Sequence, residues 1–181
     1  MLQAFQNLAG RHRDRIYTFA CYCLGNREEA EDVTQEVLVR LWHNWQRVEE
    51  ERVAAWLIHV TRNACIDAIR KRKTYRSFVA RDPEGEVTAI ARSSEPGPGA
   101  AAETADFQRH LERALRDIAE PYRSIVILRE VQDFKYEEIS EALDMPLNTV
   151  KVYLHRGRRM LREQLREYVA ETGRWPGATN P

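Results

Sequence analysis

Two stretches of this 181-residue chain concentrate the side chains that bind polyanions. From Trp56 to Arg81, seven cations (Arg62, Arg70, Lys71, Arg72, Lys73, Arg76 and Arg81) face one acid, Asp67, a formal balance of +6. From Asn148 to Arg166, six (Lys151, Arg156, Arg158, Arg159, Arg162 and Arg166) face Glu163, a balance of +5. Over the whole chain 28 Lys and Arg cancel 28 Asp and Glu, so the signal lies in segregation and not in net charge. Two basic segments in a neutral chain point to two contacts with a polyanion such as nucleic acid.

Catalytic chemistry has no comparable support. None of the five histidines has an acid three residues before it, as a Glu-x-x-His metal helix requires. There is no Gly-rich phosphate loop and no nucleophile motif, and Cys21-x-Cys23 has the wrong spacing for zinc. The expectation is therefore no catalytic residue, no metal ligand, no cofactor and no enzymatic activity. Three cysteines, Cys21, Cys23 and Cys65, are an odd number inside apolar helical patterns and read as reduced, buried thiols of a cytoplasmic protein. No apolar run approaches the roughly 18 residues of a membrane span, so membrane insertion is not expected.

Helical periodicity accounts for the elements that must carry these cations. Ile16, Phe19, Ala20 and Cys23 form one stripe, Gly25-Asn26 is a helix stop, and Val33, Val37, Leu38 and Leu41 form the next. A third helix runs from Ala54 to about Tyr75, with Trp56, Leu57, Val60, Ala64, Ala68 and Ile69 on its buried side. No alternating strand pattern is present. Asp82-Pro83-Glu84-Gly85 and Glu95-Pro96-Gly97-Pro98-Gly99 break the pattern and mark a flexible, acidic linker. Periodicity resumes near Phe107, and Pro121 is placed to open a further helix at its first position. The expected fold is all-α: two small helical domains, 1–81 and 107–170, joined by a linker over 82–106 and followed by a tail, 171–181.

Within the second domain, Tyr136 to Leu143 and Asn148 to about Tyr168 are helices separated only by Asp144-Met145-Pro146-Leu147, a turn of helix-turn-helix length. Asn148 is a favoured N-cap type. Val150, Leu154, Gly157 and Leu161 define the buried side of the second helix. Asn148, Thr149, Lys151, Val152, His155, Arg156 and Arg159 then turn outward, where a recognition helix meets base edges and phosphates.

The run Tyr136-Glu137-Glu138-Ile139-Ser140-Glu141-Ala142-Leu143, followed by Pro146-Leu147-Asn148-Thr149-Val150-Lys151 and Leu154-His155-Arg156-Gly157-Arg158, resembles region 4 of extracytoplasmic-function sigma factors, a subfamily of the sigma-70 family. In that family the domain docks on the polymerase flap and reads the −35 promoter element. The family often has Gly where this chain has Asp144 and Asn148, and Ser-Arg where it has Val152-Tyr153. Asp and Asn tolerate turn conformations, so the resemblance carries the fold but not the promoter sequence.

The N-terminal half resembles the same family. Ala30-Glu31-Asp32-Val33-Thr34-Gln35-Glu36-Val37 to Arg40-Leu41-Trp42 is similar to sigma region 2.2, which binds the clamp of RNA polymerase. The resemblance implies polymerase contacts at Asp32, Gln35, Glu36, Val39, Arg40 and Trp42. Ala55-Trp56-Leu57 and Arg62-Asn63-Ala64-Cys65-Ile66-Asp67 to Arg70-Lys71-Arg72-Lys73 resembles regions 2.3 and 2.4, which open DNA at the −10 element. It implies −10 contacts at Trp56, Arg62, Asn63, Arg70, Lys71, Arg72 and Lys73, with the loop from Gln46 to Val53 as a further source of base contacts. Trp56, between Ala55 and Leu57, equally suits a core position. The partners implied are core RNA polymerase, promoter DNA and an anti-sigma factor. The other reading is an operator-binding regulator that uses the helix-turn-helix alone and carries the N-terminal half as a partner-binding module.

Overall fold

The computed structural model describes residues 2–79 and 100–172, and all elements among the described residues are helical. Helix α1 (Leu2–Leu24) ends at Gly25, whose φ of 62° lies in the left-handed region that glycine enters without steric cost. Asn26 then caps α2 (Arg27–Asn44), its side chain accepting from the Glu29 amide at 3.0 Å. Glu28 and Glu29 in that first turn complement the helix dipole. A 3-10 turn, Glu50–Arg52, leads into α3 (Val53–Val79), which is longer at its far end than its apolar stripe predicts. Beyond Ile69 the residues of α3 are almost all exposed, so its last turns project from the body.

The N-terminal half packs α1, α2 and α3 around Ile16, Phe19, Leu24, Val37, Leu41, Leu57, Ile58 and Cys65. Helix α1 begins fourteen residues before Ile16, where the apolar stripe first becomes regular, and the early turns are held by Leu8 in the core and by Phe5 against Trp42.

In the second half α4 spans Ala100–Asp117, so residues 100–106 are helical where the sequence predicts linker. The three alanines after Gly99 are strong helix formers, and that propensity extends the helix upstream of the first buried position. The turn signals at Asp82–Gly85 and Glu95–Gly99 lie outside the described residues. Pro121 occupies the N-cap and not the first position of α5 (Tyr122–Val126), which passes into a π-helical turn, Ile127–Val131. Helix α6 is Tyr136–Leu143, as its pattern predicts; the Glu138 carboxylate accepts from the Lys135 amide at 2.6 Å and closes its first turn.

The turn after α6 places Asp144 at φ 51°, with the Met145 amide donating to the Ser140 carbonyl at 3.0 Å and the Ser140 hydroxyl donating to the Met145 carbonyl. Helix α7 (Leu147–Gln164) follows. Its N-cap position is held by Pro146, so Asn148 is an exposed residue of the first turn and not the cap that the sequence suggests. The proline sets the extended backbone at the entry and lacks the amide that a cap would otherwise have to satisfy. The long stripe to Tyr168 is broken at Leu165, after which α8 (Arg166–Thr172) begins.

The two halves pack against each other, α1 on α4 and α3 on α6, and their buried side chains form one continuous apolar cluster. Arg123 bridges them at the centre: its Nε donates to the Ile118 carbonyl at 2.9 Å and its Nη1 to the Cys23 carbonyl at 3.1 Å. One buried guanidinium therefore serves the C-terminal end of α1 and the chain just past α4, where helix dipoles favour a cation. At the edges Gln132 donates to the Arg15 carbonyl at 2.8 Å, the Arg15 guanidinium lies 4.9 Å from the centre of the Phe134 ring, and Arg52 pairs with Glu141 at 2.8 Å.

Candidate nucleic-acid and polymerase interfaces

Helix α7 is built as an amphipathic rod lying on α5. Val150, Leu154 and Gly157 are buried, and at Gly157 the helices come so close that an added Cβ would lie 2.6 Å from a Val126 methyl. Burial of that side turns the opposite one to solvent. Asn148, Lys151, Val152, His155, Arg156 and Arg159 are exposed, Thr149 is half-buried, and the seven span about 160° of the helix circumference. Val152 is 48% exposed, an apolar side chain amid cations. Arg158, on the flank, is spoken for: its Nε and Nη2 both donate to Glu130, at 3.0 and 2.7 Å. The result is a preformed cationic ridge suited to a groove of duplex DNA.

The outer side of α2 carries a second surface. Ala30, Val33, Thr34, Val37 and Leu41 are buried, so Asp32, Gln35, Glu36, Val39, Arg40 and Trp42 share the exposed face, again within about 160°. Arg40 pairs with Glu36 one turn away. Val39 is 55% and Trp42 42% exposed, and the Trp42 ring meets Phe5 edge-on at 4.8 Å, which fixes one side of the indole and leaves the other open. An exposed apolar pair ringed by charged groups is the composition of a protein-docking surface.

The third group, on α3, is not gathered on one face. Trp56, Asn63, Arg70 and Lys71 line one side of the helix, with Asn63 held 3.0 Å from His59. Trp56 is half-buried and packs against the core, with part of its side chain left accessible. Arg72 turns toward α1 and α2, where it reaches the Leu24 carbonyl and the Glu29 carboxylate, each at 3.4 Å, and its side chain is 29% exposed. Arg62 faces the second half, its Nε 3.6 Å from Glu120 and without a hydrogen-bond partner. Lys73 is exposed on yet another side. Arg70 also meets Asp67 on its own helix at 3.7 Å, so three of the five cations engage the protein itself, two of them on other elements, which the charge count along the sequence does not reveal.

Sequence reasoning missed Glu120 and Arg123, because no periodicity marks a polar pair at a junction between halves. It also passed over Tyr75 and Phe78, which are 62% and 65% exposed near the end of α3. Their signal is legible in retrospect: aromatic residues three apart, interleaved with Lys73 and Arg76.

Two small helical modules, one presenting a basic recognition helix and the other an exposed docking helix beside a basic one, define a DNA-binding protein that works with a protein partner. Comparison with known proteins specifies the class. The Sigma-70 region 2 model matches residues 8–75, and the Sigma-70, region 4 model matches residues 108–161. The chain is 31% identical to the ECF RNA polymerase sigma factor SigW of Bacillus subtilis, covering 91% of this chain and 90% of that protein. It is 30% identical to the ECF RNA polymerase sigma factor SigE of Mycolicibacterium smegmatis, over 94% of this chain and 65% of that one. Among solved structures, the sigma factor RpoE of Bartonella quintana, in complex with the anti-sigma factor NepR, superposes with a TM-score of 0.70 at 22% identity, covering 91% of this chain and 98% of that one. The chain belongs to the extracytoplasmic-function subfamily of sigma-70 family RNA polymerase sigma factors. It is accordingly a transcription initiation factor that binds core RNA polymerase and promoter DNA.

Proposed function

We propose a division of labour among the three surfaces. The exposed face of α2, from Asp32 to Trp42, grips core polymerase. Asn63, Arg70, Lys71 and Lys73, with the half-buried Trp56, contact the −10 element, and Arg62 and Arg72 join them when freed from their internal partners. Asn148, Thr149, Lys151, Val152, His155, Arg156 and Arg159 read the −35 element. The observation that supports this most directly is the outward cationic face of α7 on a fully packed scaffold, since a recognition helix needs its contacts exposed and its position fixed.

The chain then acts in the cytoplasm, without catalysis of its own, as the part that brings polymerase to a start site. Residues 1–81 form the core-binding and −10 unit, and the −35 unit extends through 170. An anti-sigma protein is the expected restraint, since the Bartonella quintana structure pairs a sigma factor with one. No helix among the described residues is long and apolar enough to cross a membrane.

The test is run-off transcription on fragmented DNA with core polymerase, alone and with this protein. Discrete new start sites sharing two upstream elements support the assignment. Stimulation that survives loss of the α7 cations, or absence of core binding in a pull-down, overturns it and favours an operator-binding regulator.

A further inference from the structure

Five large apolar side chains are exposed among the described residues: Val39, Trp42, Tyr75, Phe78 and Val152. Val39 and Trp42 belong to the α2 surface and Val152 to α7, which leaves Tyr75 and Phe78 without a role. They stand on the projecting turns of α3, where Arg70 and Lys71 share or border their side, Lys73 and Arg76 lie on the others, and no acid follows Asp67. Phe78 continues the side of α3 that carries Trp56, Asn63 and Lys71, and Tyr75 borders it, so the stripe runs about 33 Å along the helix. Flat rings among cations on a solvated helix match the combination that holds single-stranded nucleic acid, by stacking on bases and neutralising phosphates.

We propose that Tyr75 and Phe78 are a stacking platform for unpaired bases of the opened promoter strand, extending the −10 surface past its expected end. The charge around the pair selects a polyanion over an apolar protein surface. This rests on the assignment of α3 to the −10 element, and it adds contacts that the motif resemblance does not supply.

The experiment uses the full chain with core polymerase and a promoter fragment carrying a preformed bubble, with 2-aminopurine placed in turn at each unpaired position. Tyr75→Ala and Phe78→Ala should each weaken binding roughly five- to hundred-fold and restore fluorescence at one position, the range for loss of one stacked base. Tyr75→Phe and Phe78→Trp should retain binding, whereas Phe78→Leu, apolar but without a ring face, should not. Unchanged bubble binding by both alanine variants overturns the proposal. So does a lowered melting temperature of the free alanine variants, which would mean that the rings cover part of this chain. Loss of core binding in a pull-down would assign the pair to a protein interface instead. Failure of the wild-type chain to bind core would strike the sigma assignment itself and is read in a separate lane.

A second observation stands apart from the first. Arg62, a −10 candidate, is turned onto Glu120 of the other half at 3.6 Å, with its Nε unsatisfied, while Ser124 donates to the same carboxylate oxygen at 2.6 Å. A guanidinium in imperfect register with a carboxylate exchanges readily for a phosphate, which offers better hydrogen-bond geometry. The geometry points to Glu120 as an internal stand-in for a DNA phosphate, withholding Arg62 from DNA until polymerase and DNA separate the two halves. Arg52 with Glu141 pins the edge of the same contact.

In the free full-length chain, Glu120→Gln should raise affinity for a −10 single-stranded oligonucleotide roughly three- to tenfold and increase the radius of gyration in small-angle scattering. Arg52→Glu, at an exposed position that leaves the buried cluster intact, should act in the same direction, and combining it with Glu141→Arg should restore the compact form. Unchanged scattering and unchanged oligonucleotide affinity in both single variants overturn the latch, even if run-off transcription proceeds normally and the sigma assignment stands.

Discussion

Lys151 and Arg156 on α7 have separable effects, because both side chains are exposed on its outward face. Alanine at Lys151 or Arg156 should weaken binding of a −35 duplex by about 1–3 kcal/mol if the contact is to a base edge. If the contact is to a phosphate, the salt dependence should fall by about one unit of slope instead. Asp32→Ala and Gln35→Ala should lower affinity for core polymerase in a pull-down without changing duplex binding by α7. The buried thiols make a different prediction. Burial pushes the Cys23 thiol well above its ordinary value, a hydrogen bond with Cys65 adds to this, and half-burial raises Cys21. The folded protein therefore holds the Cys23 proton more tightly than the unfolded chain does. That stabilisation is complete below pH 9.0, the ordinary thiol value, and is lost as pH rises beyond it toward the folded value. At pH 8, iodoacetamide should modify Cys23 only after denaturant is added, and the urea midpoint should fall as pH rises above 9.0, less steeply in Cys23→Ala.

At the level of elements, the joints carry more information than the helices. The corner between α1 and α2 uses Gly25 for a left-handed residue and Asn26 for a cap, and an added Cβ at Gly25 would sit 2.5 Å from the Arg116 side chain. Asn26→Ala should cost about 1 kcal/mol, the usual value of a lost N-cap, measured by urea unfolding. Gly157→Ala should cost about 1–3 kcal/mol from overpacking against Val126, offset by about 1 kcal/mol of helix propensity. A gain in stability there would show that α5 moves aside freely. The sharp turn between α6 and α7 is set by Asp144 in the left-handed region and by Pro146, which together fix the angle at which the recognition helix meets DNA.

For the whole molecule, the decisive fact is that two halves share one core in this arrangement while their proposed targets lie far apart. Elements centred about 25 base pairs apart are separated by about 85 Å of duplex, whereas α3 and the helix-turn-helix here touch. The twenty residues between Val79 and Ala100 span at most about 70 Å when extended, and with the widths of the two halves that is enough to reach both elements once they part. While closed, the halves should unfold together. In a Trp175→Phe background, fluorescence of Trp42, Trp45 and Trp56, all in the first half, and helical circular dichroism, which reports both, should give coincident urea transitions. Arg123→Ala, which removes the guanidinium that joins the Cys23 and Ile118 carbonyls, should separate them.

Much of this was legible in the chain as written. The stripes of Ile16 to Cys23, Val33 to Leu41 and Val150 to Leu161 dictate helices, because burying one side of each is the only way to remove those side chains from water. The same stripes place Lys151, Arg156, Asp32 and Gln35 on the outside, since a helix that buries one face must expose the other. Local signals read less well where backbone geometry had alternatives: Pro146 displaced Asn148 from the cap, and alanine propensity drew α4 upstream to Ala100. What only the tertiary structure decided is which cations remain available to a partner. Arg72 and Arg62 look like their neighbours in sequence, yet one is drawn to the end of α1 and the other to Glu120 of the second half. Such pairings depend on which helix ends and carboxylates packing brings within a few ångströms, and that distance is fixed by the fold and not by spacing along the chain.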